Sequence, residues 1–242
     1  TFILNKNGEL SFPDRYSREY IPAKDCPLLS TELSSRVEQL VFPDLPDLAQ
    51  VQLRIGSNDN DLLILESFSD EPFDFEIDFP ISVVQIGSEM THILSDRFYQ
   101  IEEFSEQSFR LSASSEIYFQ EEIAYKISKL LNKTFTDYLI KDLIHIHAGI
   151  GQISLLLAPN FESIVAIEKN GSEADDFIFN LDSFDGIDIF EASTFQVLPT
   201  LSNPSSAILI SPKDNGIDRF DLDAILKYQP PMLAYLSQNL ST

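Results

Sequence analysis

Apolar and polar positions follow two regimes along the chain, and the change comes near Gln120. Before it, apolar residues sit in short runs or alternate with polar ones. "VQLRIGSNDNDLLILES" places Val51, Leu53 and Ile55 two apart, breaks at a polar turn and resumes with an apolar run from Leu62 to Leu65. That layout predicts a hairpin. "ISVVQIGSEMTHIL" and "SFRLSASSEIYF" predict further short strands, and "STELSSRVEQLV", opened by Ser30, predicts one helix. Residues 1–115 therefore read as a β-rich α+β domain.

Beyond that point the period lengthens. "EEIAYKISKLLNKTF" carries Ile123, Ile127, Leu130 and Leu131 at amphipathic-helix spacing, with acids first and lysines later, as the helix dipole prefers. "DLIHIH", "SIVAIEK", "GIDIFEA", "SAILIS" and "MLAYLSQ" read as strands, with "GQISLLLA" and "DLDAILKY" as helices among them. Strands interspersed with helices imply a parallel sheet with crossover helices, a Rossmann-like α/β domain over residues 116–242.

Composition narrows the classes of function. With 242 residues, 43% of them hydrophobic, the chain can bury a core. No apolar run approaches the ~20 residues of a membrane-spanning helix, and "TFILNKNGEL" lacks the layout of a secretory signal, so the expectation is a cytoplasmic protein with no membrane partner. A chain that starts at Thr1 and stops after an apolar run is expected to be part of a longer protein. The single cysteine, Cys26, excludes an internal disulfide and a zinc site built of several thiolates.

The formal net charge of -23 repels polyphosphate and forfeits the counterion release that drives most nucleic-acid binding. An RNA partner is thereby disfavoured unless a local basic patch exists. Lys126, Lys129 and Lys133 recur at helical spacing and are the candidate, with a plain solvated face as the alternative.

The densest cluster of chemistry is "HIHAGIG", residues 145–151. A strand followed by a glycine turn and a helix permits a tight turn with backbone amides facing a ligand. Gly149 and Gly151 supply two glycines of a dinucleotide fingerprint, and Ser154 stands where the third would be. Glu168, at the end of the next strand and 17 positions after Gly151, is where an acid commonly hydrogen-bonds ribose hydroxyls. Together they suggest an adenosine-containing cofactor; the alternative for Glu168 is a solvated strand-end acid. His145 and His147, two apart on a strand, are expected to share a face. No further ligand follows at metal-binding spacing, so no metal site is expected.

In order, "CPLLSTELSSRVEQL", "SFRLSASSEIYFQEEIAYKISKLL", "LIHIHAGIGQISLLLA", "SIVAIEKN", "AILISPKDNG" and "ILKYQPPMLAYLSQN" resemble the RNA 5-methyluridine (uracil-5) methyltransferase family over nearly the whole chain. The resemblance implies a class I methyltransferase domain binding S-adenosylmethionine, with Gln120, Gly149, Gly151 and Glu168 at cofactor-contacting positions. In that family a cysteine adds to C6 of uracil, C5 accepts the methyl group, and a base removes the C5 proton. Here Gln238, in "LSQNL", stands where the family has its cysteine. Ser211, in "SPKD", stands where it has an acid. His145 and Ala148 replace the aspartate and cysteine of its cofactor loop. Cys26 resembles the last ligand of an iron–sulfur cluster found in some members, but one thiol cannot hold a cluster, and a buried structural cysteine is expected.

The resemblance thus implies an RNA methyltransferase-like protein with the family's catalytic positions replaced. Two alternatives stay open: a non-catalytic binding or scaffolding pseudoenzyme with a protein partner, and a methyltransferase acting on a non-uracil target.

Overall fold

The computed structural model describes the chain except for residues 6, 15, 18, 57–59, 75–79, 202–204, 214–215 and 238–242. It divides into two compact units, Thr1–Glu102 and Glu103–Thr242.

The first unit is β-rich. Strands β1 (Ile3–Leu4), β2 (Leu10–Pro13) and β3 (Tyr20–Pro22) form an antiparallel sheet. Helix α1 (Thr31–Gln39) follows, its first turn capped by the Ser30 hydroxyl, which accepts from the Leu33 N–H at 3.2 Å. A second sheet orders β4 (Leu48–Arg54), β5 (Leu62–Ser67), β6 (Ser82–Ile86) and β7 (Thr91–Ser95). The expected hairpin is the antiparallel β4–β5 pair, with Val51 opposite Leu65 and Leu53 opposite Leu63. Phe2, Leu10, Val37, Leu63, Leu65 and Val83 close the core. Cys26 ends a 3-10 turn and is half-buried, less sheltered than a core cysteine.

Strands β8 (Tyr99–Phe104) and β9 (Gln107–Ser112) form a hairpin, and the division falls within β8. That is earlier than the 115/116 boundary drawn from sequence, because β9 is bound into the second unit. Asp176 accepts from the Arg110 guanidinium at 2.5 Å and from the Ser112 N–H and hydroxyl at 2.8 and 2.7 Å. Asn180 brackets the Arg110 peptide, accepting from its N–H at 2.6 Å and donating to its carbonyl at 3.1 Å.

The rest of the second unit is Rossmann-like. Its elements are α2 (Glu121–Asp137), β10 (Asp142–Ile146), α3 (Gln152–Leu157), β11 (Ser163–Glu168), α4 (Gly171–Leu181), β12 (Ile187–Glu191), α5 (Thr194–Val197), β13 (Ala207–Ile210), α6 (Arg219–Tyr228) and β14 (Leu233–Tyr235). The five strands are all parallel, in the order β12-β11-β10-β13-β14. Two cores cover the central strands. Leu143, Ala166 and Leu209 face α2, α3 and α4, while Ile144, Ile146, Ile208 and Ile210 face α5 and α6. This two-sided burial explains why "AILI" is apolar at every position rather than alternating.

Helix α2 forms as expected, with Leu131 buried and Ile127 packed against the core, but its stripe is rotated from the expected one. Ala124, Ser128, Leu131 and Phe135 face inward, whereas Ile123 and Leu130 are exposed. Small residues at two of the four inward positions let the helix approach its neighbours closely. Among the described residues no helix is long and apolar enough to cross a membrane.

Candidate functional site

Strand order reverses between β10 and β13, and the crevice beyond their carboxyl ends is where open α/β sheets bind ligands. The β10–α3 turn enters this crevice with three residues at positive φ: His147 (54°), Gly149 (55°) and Gly151 (88°). The two glycines serve different ends. A Cβ on Gly151 would lie 2.3 Å from Leu181 Cδ1 and 3.0 Å from Phe177 Cδ2, so this glycine lets α4 close on the turn. A Cβ on Gly149 would lie 2.7 Å from Tyr118 Cε2, so this one lets an aromatic ring lie on the backbone.

Glu168 ends β11 beside the turn and is buried, not a solvated strand-end acid. One carboxylate oxygen accepts from the Gly149 N–H at 3.0 Å and the other from the Asn170 N–H at 2.9 Å. Each oxygen keeps further acceptor capacity. The structure therefore brings Gly149 and Glu168 together, with Gly151 two residues along the same turn.

Gln120 caps the helix that leads away from Tyr118 and Phe119. It is exposed at the amino end of α2, where its backbone carbonyl accepts from Ile123 and Ala124 while its side chain makes no cap bond. Its neighbour Phe119 is held instead: Gln152 donates to the Phe119 carbonyl at 2.7 Å and accepts from its N–H at 3.2 Å. That clasp sets the Tyr118 ring over Gly149. Sequence reading passed over Gln152, though a glutamine at the first position of a helix after a glycine turn is a signal that could have drawn attention.

Three more side chains crowd the turn. The Tyr118 hydroxyl donates to Glu173 at 3.2 Å, and the Lys213 ammonium lies 3.2 Å from Glu173 and 3.5 Å from Glu116. The ammonium also stands 5.8 Å from the centre of the Tyr118 ring. Burial, with Glu168 adding repulsion, raises the Glu173 carboxyl above its ordinary range against the pull of Lys213. Burial and the same two carboxylates raise the Tyr118 phenol far above its usual value, keeping it a neutral donor. For Lys213 burial acts downward but is outweighed by Glu173, Glu116 and Glu168, so the ammonium is held more firmly protonated.

The two histidines diverge. His145 points to the α3 side, its Nδ1 2.7 Å from the Ser154 hydroxyl and its Nε2 3.0 Å from the Ser211 hydroxyl. Burial, with a smaller push from His147, lowers its pKa to about 3, and the ring is neutral. His147 lies past the end of the strand, and its left-handed backbone turns it toward Asp221 of α6, whose Oδ2 is 3.7 Å from its Nε2. Burial lowers its pKa as well, against Glu168 and Asp221. The expected shared face does not form, because the strand's alternation ends at Ile146. Among the described residues no cluster of histidine, cysteine and carboxylate side chains could hold a metal. Ser211 is buried with its hydroxyl against His145; Gln238 and Asp214 lie outside the described residues.

No family model matches the chain. It is 23% identical, over 148 residues and 60% of its length, to an uncharacterized RNA methyltransferase of Mycoplasma mobile. It is 26% identical, over 164 residues and 65% of its length, to an uncharacterized RNA methyltransferase of Thermosynechococcus vestitus. The chain spans 40% and 36% of the length of these curated relatives. Among solved structures it is similar to the Pyrococcus abyssi tRNA (uracil-54, C5)-methyltransferase in complex with S-adenosyl-L-homocysteine, with a TM-score of 0.66 and 13% identity, covering 94% of this chain and 62% of that one. The second unit therefore has the class I methyltransferase fold, and the chain is similar in sequence to RNA methyltransferases.

Proposed function

We propose that this chain is the S-adenosylmethionine-binding part of an RNA methyltransferase-like protein whose uracil-5 chemistry has lost its nucleophile. The observation that carries the cofactor reading is the 3.0 Å bond from Gly149 N–H to Glu168 at the switch point of the parallel sheet. It places an acceptor suited to ribose hydroxyls beside backbone that lacks a side chain, which fits the two ends of such a cofactor. Glu168 would hold the ribose, and Gly149 and Gly151 would pass along the amino-acid end. The cofactor supplies an electrophilic methyl group; positioning and proton handling fall to the chain.

The chain's residues support binding better than uracil-5 transfer. Addition to uracil C6 needs a thiolate, and the one thiol, Cys26, belongs to the β-rich unit at the end of a 3-10 turn. Gln238 is an amide and forms no such adduct. Ser211 presents a hydroxyl 3.0 Å from Nε2 of a neutral imidazole.

A non-catalytic role has its own support in Tyr118, whose ring lies against Gly149 and takes up one side of that backbone. Calorimetric titration with S-adenosylmethionine and S-adenosylhomocysteine tests the cofactor reading. Heat of binding that disappears in Glu168→Ala is expected, and no heat at millimolar cofactor overturns it. Mass spectrometry of incubated RNAs tests the rest: a 5-methyluridine product would refute the lost-nucleophile reading, and methylation at another atom would establish a different target.

A further inference from the structure

A second site lies along α2, toward the far end of α3 from the glycine turn. It is an open groove of about 710 Å³, a size that accommodates one nucleotide. Its platform is Tyr125, a part-exposed ring braced from behind by Phe104, the two rings nearly parallel at 16° with centres 6.2 Å apart. A buttressed aromatic with a free face needs little ordering before a base stacks on it. Phe184 and Leu156 add apolar wall.

The polar groups of the groove differ in what they offer a nucleotide. Asn132 uses its amide N–H toward the Leu156 carbonyl at 3.5 Å, while its buried Oδ1 has no partner among the described residues. That Oδ1 is closed to solvent, so Asn132 lines the groove without presenting an acceptor to it. Lys129 is exposed on the groove wall with no carboxylate within ion-pair distance among the described residues, unlike Lys126, which is bound to Glu122 at 2.6 Å. Lys133 follows one turn along. The rim carries Glu106 at a hairpin turn where Ser105 and Glu106 hold left-handed backbone at φ 53° and 62°, and the Ser105 N–H donates to Glu121 at 3.4 Å. Positive φ at both residues is what a two-residue hairpin loop requires.

We propose that this groove binds one nucleotide of single-stranded RNA, its base stacked on Tyr125 and its phosphate on Lys129. The protein's acidity shapes this mode of recognition. Repulsion of the wider backbone leaves stacking and one phosphate contact to do the binding, so affinity should depend little on salt. The site stands apart from the cofactor turn and does not rest on the cofactor reading.

Fluorescence anisotropy of short single-stranded RNA oligomers, without cofactor, tests the proposal. Wild type is expected to bind with a salt slope near one phosphate, about -0.7 in log affinity against log salt. Tyr125→Ala should weaken binding roughly five- to hundredfold while Tyr125→Phe keeps it, the span that base–aromatic stacking gives. Lys129→Glu, an exposed change that leaves the fold alone, should abolish the salt slope and weaken binding even if Tyr125→Ala misfolds. Absence of oligomer binding, indifference to Lys129→Glu, or equal binding of an acidic peptide overturns the proposal. Cofactor titration of the same variants should be unchanged, which separates this site from the first.

Discussion

The two glycines of the β10–α3 turn should respond differently to the same added methyl group. Gly151 has φ 88° and ψ 9°, where an ordinary residue pays about 1–2 kcal/mol in backbone strain. Its new Cβ would also meet Leu181 Cδ1 at 2.3 Å and Phe177 Cδ2 at 3.0 Å, and both side chains are buried, so neither can swing into solvent. Overpacking of that kind costs about 1–3 kcal/mol. Gly151→Ala is therefore expected to destabilise by about 2–5 kcal/mol. Gly149→Ala has the same kind of backbone strain at φ 55°, but its neighbour is the edge of a Tyr118 ring that is only partly buried and can shift outward. Its expected loss is about 1–2 kcal/mol. Urea unfolding followed by circular dichroism, with slopes compared to confirm that the unfolded states match, measures both. Equal losses in the two variants, or a larger loss at Gly149, would refute the assignment of Gly151 to helix packing and of Gly149 to contact with the movable Tyr118 ring.

Two further outcomes follow from the buried carboxylates. Glu173 titrates above its unfolded value of 4.5, so its contribution to stability is present in acid and fades as pH rises through the folded value. Glu173→Gln should gain in melting temperature relative to wild type as pH climbs from about 4.5 toward neutrality; a gap that narrows over that range contradicts the burial argument. Asp176→Ala strands the Arg110 guanidinium and the Ser112 N–H together and should cost about 3 kcal/mol in denaturant unfolding. Amide exchange in β9 should quicken selectively, and uniform quickening across the sheet would place Asp176 in global stability rather than in docking β9.

Much of the second unit could be read directly because its signals are local. "AILI" is apolar throughout, since both faces of β13 are covered, and the two glycines sit where a strand must turn into a helix. Helix α4 was missed for a physical reason. "GSEADDFIFNL" opens on glycine and carries three acids, two of them fully buried, so its polar residues do not mark a solvent face. Glu173 and Asp176 are tolerated inside because Tyr118, Arg110, Ser112 and Lys213 come to them from 40 to 66 positions away. No spacing rule reports such partners. The histidine pair misled for the opposite reason: strand alternation was carried one residue too far, past Ile146 into a left-handed turn. Tyr118 carried no signal of its own, because the clasp that brings its ring to the turn joins Phe119 to Gln152, 33 positions on.

Asn180 has a consequence for how this protein can be cut. One amide group holds both ends of the Arg110 peptide and also donates to the Ile150 carbonyl at 2.9 Å, inside the glycine turn. The turn is thus surveyed from β9 through α4, across 70 residues of chain. A fragment starting at residue 116 would keep every strand of the parallel sheet and still lose the reference point for its ligand-facing backbone. The smallest autonomous piece able to shape that backbone has to begin ahead of β9.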